Sequence, residues 1–229
     1  MKKFVLTGIA AAAVAASASA DITGAVTVDY VVTAEDFGGD VVTVNVKDLY
    51  LTSNDAADTA LNIYNMSMVA SGQVNYFQSA TGVGWAPTNL GSIFDTEALR
   101  RADSFVTIGG FDFGLEPVQS PGAGSGTGLD PNFGGNGAAY PGDLAGWYNG
   151  SPPSLNGQVG NNAAGLGVLV GRFAYDGAFD LTGSTLEVTW NQGLGTPGVQ
   201  DGFIVNVPAP GALALLGLAG LAGRRRRNG

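Results

Sequence analysis

Residues 21–33 read DITGAVTVDYVVT, and their alternation puts Val26, Val28, Tyr30 and Val32 on one side and Thr27, Asp29 and Thr33 on the other. A period of two sends successive side chains to opposite faces, so this is a half-buried β-strand and not a helix. The turn-rich Glu35-Asp36-Phe37-Gly38-Gly39 follows, and a second strand then sets Val42, Val44 and Val46 on one face. The apolar parity next jumps to Leu49 and Leu51, which predicts a β-bulge near Lys47 and Asp48.

Working outward, strands are expected at residues 60–69, 72–79 and 104–108, then at 168–175 and 181–190 around Asp176-Gly177, and last at 202–207. In the fifth of these, Leu186, Val188 and Trp190 share a face. Helical periodicity is almost absent between the ends; only residues 95–103, DTEALRRAD, suit a short helix, with Asp95 as N-cap. Short alternating strands separated by Gly, Asn, Asp and Pro clusters make the body, residues 21–207, an all-β antiparallel sandwich or jelly roll, with a barrel as the rival.

Residues 114–167 differ in kind. The run PGAGSGTGLDPNFGGNG at 121–137 is nearly half glycine, and Pro141, Pro152, Pro153 and Asn161-Asn162 extend the bias. Such a composition predicts a long mobile loop or spacer. Phe133, Tyr140, Trp147 and Tyr148 are the exceptions, and two readings stand open for them. In one the loop folds back and uses the rings as anchors on the sheet. In the other Tyr140, Trp147 and Tyr148 form an exposed platform on which sugar rings stack.

Of 229 residues 37 are Gly and only 13% are charged, with no Cys and no His. Disulfides, thiolate or imidazole metal sites and histidine-based triads are therefore excluded. Residues 21–207 hold four basic residues, Lys47, Arg100, Arg101 and Arg172, against all 19 acids, a formal charge of −15. A body that negative repels phosphates and anionic lipid, which argues against nucleic-acid binding and leaves cations, basic partners and neutral polymers.

Three segments carry acids four apart with glycine between: Asp36 and Asp40, Asp112 and Glu116, Asp176 and Asp180. They read as polar turns or as a structural Ca²⁺ site, since hard cations want converging oxygens. No other cofactor is expected. Paired carboxylates would suit a glycoside hydrolase, but the sequence singles out no pair among 19 acids. Asn65-Met66-Ser67 and Asn149-Gly150-Ser151 fit the N-glycosylation pattern. Residues 122–128 neither follow a strand nor open a helix, which rejects a phosphate-binding glycine loop.

The ends read as processing segments. Residues 1–20, MKKFVLTGIAAAAVAASASA, have a basic start, a short apolar middle and the small residues Ala18 and Ala20. That is a secretory signal helix, cut by signal peptidase before Asp21. At the other end Val207-Pro208-Ala209-Pro210 leads into an apolar run over residues 211–223, followed by Arg224, Arg225, Arg226 and Arg227. An exported chain that meets such a run stops with the basic cluster in the cytoplasm. Thirteen helical residues rise only about 20 Å against a hydrocarbon core of about 30 Å, so the short transmembrane helix is a transient anchor.

The order proline motif, apolar run and terminal arginines resembles the PEP-CTERM sorting signal of bacterial surface proteins, with Ala209 standing where the family usually has Glu. The resemblance is confined to residues 207–229. It implies recognition by an exosortase that cuts near Pro208-Ala209-Pro210, release or attachment at the cell surface, and a bacterium that makes extracellular polysaccharide. The expectation is an exported structural or adhesive protein of the extracellular or biofilm matrix, without enzymatic activity. A carbohydrate-binding sandwich is the alternative, a glycoside hydrolase the third reading, and membrane contact is limited to the tail before processing.

Overall fold

The structure is a computed structural model and describes residues 21–69, 74–82, 84–109, 126–133, 140 and 144–207. Strands β1 (Ile22–Glu35) and β2 (Val41–Ser53) form a long antiparallel hairpin in unbroken register from Gly24↔Thr52 to Glu35↔Val41. Its turn rests on Gly38 and Gly39 at φ of 88° and 91°, where a Cβ would be strained. Strand β2 also pairs with β8 (Gly165–Tyr175), whose far edge takes β4 (Phe105–Val106) and β7 (Gly160–Asn162). These five strands are sheet A. Sheet B runs β10 (Val199–Ile204), β9 (Thr185–Asn191), β3 (Thr59–Ser67), β6 (Ala145–Asn149), β5 (Thr127–Leu129), again antiparallel throughout. No helix among the described residues is long and apolar enough to cross a membrane.

The two sheets share one core. Leu49, Leu51, Val168 and Val170 come to it from sheet A, and Ile63, Trp147, Leu186 and Val188 from sheet B, all buried. Along one side a parallel bridge joins Ala25 to Val205, and Asn206 is bonded to Ala25 O at 2.8 Å and to Thr27 N at 2.9 Å. Along the other, Ile108 N donates to Thr127 Oγ1 at 3.0 Å and the Trp147 indole N–H to Thr107 O at 2.8 Å.

No bulge lies near Lys47 and Asp48 in the β1–β2 ladder. The register shift sits between Leu49 and Tyr50 where β2 meets β8, with Val170 as the extra residue on β8. The parity jump in β2 has another cause: over Asp48 to Leu51 both faces of the strand are buried. Leu49 and Leu51 face sheet B, while Val44, Val46, Asp48 and Tyr50 face outward beneath a cover drawn from residues 74–105. The cover holds α1 (Glu97–Arg101), whose Ala98 packs, with Ala102 beyond it, on Val32, Ala34, Val44 and Val46. Of residues 72–79, the described part from 74 onward forms no strand of either sheet: Phe77 N is held on Ala174 O at 2.7 Å, Phe77 packs on the cover side and Tyr76 in the shared core. The N-cap of α1 is Thr96, not Asp95: Thr96 Oγ1 accepts from Leu99 N at 3.0 Å, and Asp95 instead takes the Arg100 guanidinium and Gly91 N.

Beneath this cover lies a fully buried ion pair. Arg172 Nε and Nη2 donate to the two Asp48 oxygens at 2.7 and 2.9 Å, Nη1 donates to Arg100 O at 2.8 Å, and Tyr30 OH donates to Asp48 Oδ2 at 2.8 Å. The guanidinium also lies over the Tyr30 and Phe105 rings. Every charge is met in kind, the condition under which a buried pair is tolerated.

Residues 114–167 are not one long loop. Their described part supplies β5, β6 and β7, with β6 interior to sheet B between β3 and β5. Glycine here serves close packing: a Cβ at Gly157 would stand 1.9 Å from Ala60 O and one at Gly167 2.3 Å from Leu51 O. The strand expected at residues 181–190 is Thr185–Asn191, in the sheet opposite β8, so Asp176-Gly177 leads across the sandwich.

Candidate functional site

Among the described residues sheet B is covered on one face only, and its other face carries the candidate site. Because Ile63, Trp147, Leu186, Val188 and Trp190 point into the core, their neighbours must point out. The register then lines up Gly128, Tyr148, Asn62, Thr189 and Gln200 as one row across all five strands. A second row sets Tyr64 beside Glu187 and Glu187 beside Gly202.

Tyr148 is 46% exposed. Its ring tip covers Gly128, where a Cβ would come within 2.4 Å of Cζ, so glycine at 128 is what lets the ring lie there. Tyr64 is half-buried; desolvation and the Glu187 carboxylate together hold its phenol above the ordinary value. Beside Glu187 a groove of about 240 Å³ is lined by Asn65, Thr185, Leu186, Gly202, Phe203 and Ile204. Asn65 adopts a φ of 50° at the bulge in β3, and its amide reaches Glu187 Oε1 at 3.3 Å. Amides, hydroxyls, one carboxylate and one exposed ring can hold a neutral hydroxylated chain by stacking and hydrogen bonding.

Of the three expected platform residues only Tyr148 is available. Tyr140 and Trp147 are 2% and 1% exposed, packed with Phe133, Trp85 and Phe173 in edge-to-face and tilted contacts 5.4–6.2 Å apart. These rings are core anchors and cannot receive an external sugar. A period of two across Trp147 and Tyr148 was the signal that separates them, because only one of two successive strand residues faces the core.

The two described acid pairs, Asp36 with Asp40 and Asp176 with Asp180, are not brought together as ligand sets. Asp36 is the hub of a turn: its carboxylate accepts from Ser79 Oγ at 2.6 Å, Phe37 N at 2.8 Å, Ala80 N at 2.9 Å and Thr96 Oγ1 at 3.4 Å. Burial acts to raise its pKa, and these donors outweigh burial and hold the carboxyl below the usual range. Asp40 and Asp176 are exposed, and Asp180 accepts from Thr182 N at 2.9 Å in an Asx turn. Among the described residues no three acidic side chains gather where a metal ion could sit. Asp112, Glu116, Ala18, Ala20, Pro208, Ala209, Pro210 and Arg224, Arg225, Arg226 and Arg227 lie outside the described residues, as do the signal helix and the transmembrane helix.

Two buried acids were not anticipated from the sequence. Asp103 is 2% exposed; its Oδ1 accepts from Ser79 N at 2.7 Å, and desolvation pushes its carboxyl up to about 8. A Cβ at Gly82 would stand 2.9 Å from that carboxylate. Asp58, in the turn between β2 and β3, is fully buried. The two glycosylation patterns also separate: Asn65 is exposed, whereas Asn149 is 5% exposed and takes Ser151 N on its side-chain oxygen. In comparisons with family models, curated proteins and solved structures, no match to the chain is found.

Proposed function

We propose that the chain is an exported protein, freed of residues 1–20 by signal peptidase and sorted to the cell surface by an exosortase, with a structural or adhesive part in a polysaccharide matrix. The observation that carries the reading is the sequence of motifs in the tail: Pro208-Ala209-Pro210, an apolar run too short for lasting anchorage, and Arg224 to Arg227. What the fold adds is a packed body that fits between the two processing points. Asp21 N is already bonded to Asn54 Oδ1 at 2.8 Å, and Val207 N closes a turn on Ile204 O at 3.2 Å, one residue before Pro208. The measurement is mass spectrometry of the protein taken from its own cell envelope. A first residue of Asp21 and a last residue upstream of Arg224 are expected; chains ending in Asn228-Gly229 overturn the proposal.

A second reading, carbohydrate binding by the body, is favoured by Tyr148, whose exposed ring lies on Gly128 in a row of uncharged polar side chains. The body's charge of −15 suits a neutral polymer better than an acidic one. Retention on immobilised neutral polysaccharide should fall about tenfold in Tyr148→Ala, as the loss of one stacking contact of about 1.5 kcal/mol implies. Equal retention of the two proteins overturns this reading.

A further inference from the structure

Residues 53–58, SNDAAD, turn the chain from β2 into β3 and carry two carboxylates three apart. Asp58 Oδ1 is buried without a hydrogen-bond partner among the described residues. Its other oxygen, Oδ2, stands 2.7 Å from Ser53 Oγ, but that hydroxyl is also 2.9 Å from Asp55 O and has one hydrogen for both. The charged groups around Asp58 are all negative: Asp55 on the same loop and Asp21 on the entering chain, with Ser53 and Gln192 as neutral neighbours. Burial first, then these two carboxylates, raise the Asp58 carboxyl above its ordinary value against the Ser53 and Gln192 side chains. A buried, half-satisfied carboxylate in a negative field is a site for a cation.

The chain supplies one at this loop. Asp21 N donates to Asn54 Oδ1 at 2.8 Å and Asn54 N returns a bond to Asp21 O at 3.3 Å, so residue 21 is clamped to the turn. Before cleavage nitrogen 21 is an amide with a single hydrogen, which Asn54 takes. Hydrolysis of the Ala20–Asp21 peptide bond adds water across it, leaving a carboxylate on Ala20 and an ammonium with three hydrogens on Asp21. We propose that the 53–58 loop is a binding site for the chain's own new N-terminus: the Asp21 ammonium keeps Asn54 and neutralises the Asp55 and Asp58 carboxylates, so that removing the leader tightens the fold. The inference rests on cleavage before Asp21.

The test exploits the lysine content. Lys2 and Lys3 leave with the leader, and Lys47 is the sole lysine elsewhere in the chain, so Lys47→Arg makes the α-amine the sole amine of the mature protein. The full-length gene is expressed with export, the first residue is read by mass spectrometry, and melting is followed before and after acetylation with acetic anhydride. Acetylation should lower Tm by about 3–6 °C, the scale of one to two lost interactions in a chain of this size. The loss should vanish when Asp58→Asn is added, and it should shrink as pH rises past about 9, where a stabilised ammonium gives up its proton. An unchanged Tm on acetylation overturns the site even with Asp21 confirmed as first residue. A different first residue overturns the cleavage reading and the site with it. A Tm raised by millimolar Ca²⁺ but indifferent to acetylation assigns the loop to a metal and overturns the proposal. Should the double variant fail to fold, acetylation of Lys47→Arg alone decides.

Discussion

Sheet A and sheet B meet across the same core, yet their outward faces are built on opposite terms. On sheet A the outward-facing Tyr30, Asp48 and Arg172 lie beneath α1 and its flanking segments, and every charge among them has a partner. On sheet B the outward row Tyr148, Asn62, Thr189, Gln200 carries no charge, and Tyr148 and Gln200 are open to solvent. The difference shows that the cover, not the strand, decides what an outward position tolerates: water satisfies a polar group at no structural cost, whereas burial demands a partner of matched geometry.

The largest effect expected from this contrast follows from removing one member of the buried pair. Arg172→Ala strands Asp48 without its counter-ion and should cost about 3–5 kcal/mol in urea unfolding. Glu187→Ala on the open face should stay within about 0.5 kcal/mol. Replacing the charged pair together, as Asp48→Leu with Arg172→Met and with Tyr30→Phe to remove the hydroxyl that would lose its acceptor, should recover most of the loss. Strict additivity of the single losses would show that the pair does not act as a unit.

The same contrast explains what could be read in the sequence. Sheet B was legible because one buried face leaves a clean alternation: Leu186, Val188 and Trp190 in, Glu187 and Thr189 out. In β2 both faces are buried over Asp48 to Leu51, so the pattern looked like a slipped register. Two residues carried the correct signal. Asp48 continues the parity of Val44 and Val46, and Arg172 interrupts the apolar run VLVGRFAY; lone opposite charges in two apolar strands imply each other. The glycine-rich region misled for a different reason. Composition reports backbone freedom, but at Gly157 and Gly167 the missing Cβ admits a neighbouring carbonyl, a demand that only the fold creates. The expectations of a leader over residues 1–20 and a sorting tail over residues 207–229 rest on motifs alone, and Pro208 onward and residues 1–20 lie outside the described residues. Asp58 and Asp103 had no local signature, since their burial is set by segments distant in sequence.

A second way to sharpen the comparison is pH, because Asp103 of the cover and Asp36 of the β1–β2 turn titrate in opposite senses. Asp103 sits in the folded protein at about 8, far above an unfolded carboxyl near 3.8, so the native state holds the proton more tightly. Its contribution is therefore full at low pH and is lost as pH rises from about 4 to about 8, at up to about 1.4 kcal/mol per unit. Asp36 acts in the opposite sense: its lowered pKa favours the fold above the ordinary carboxylate range and is lost on acidification. Stability should thus peak in mildly acid solution and fall by about 2–3 kcal/mol between pH 5 and pH 8. Asp103→Asn, whose amide oxygen can still accept from Ser79 N, should flatten the alkaline limb and leave the acid limb in place. A limb unchanged in that variant would mean that another group carries it.

The smallest effect concerns how the cover is fastened. Thr96 Oγ1 accepts from Leu99 N at 3.0 Å and also donates toward Asp36 Oδ1 at 3.4 Å, so one hydroxyl starts α1 and ties it to the hub of the β1–β2 turn. Thr96→Ala loses the cap and should cost about 1 kcal/mol, in the range found for helix N-caps. Thr96→Ser keeps the hydroxyl and should cost a few tenths at most. Asp95→Asn is the informative partner, because Asp95 lies one residue before the cap and holds the Arg100 guanidinium by two bonds of 2.6 and 2.8 Å. Arg100 is partly exposed, so that ion pair is screened by solvent and its loss should cost under about 1 kcal/mol. The two substitutions also differ in what they disturb. Losing the cap loosens α1 against Val44 and Val46 and should speed amide exchange along the outward side of β2, whereas losing the Asp95 bond should leave β2 protected. Equal exchange in both variants would mean that the cover is held by the packing of Ala98 and Ala102 rather than by its hydrogen-bonded start.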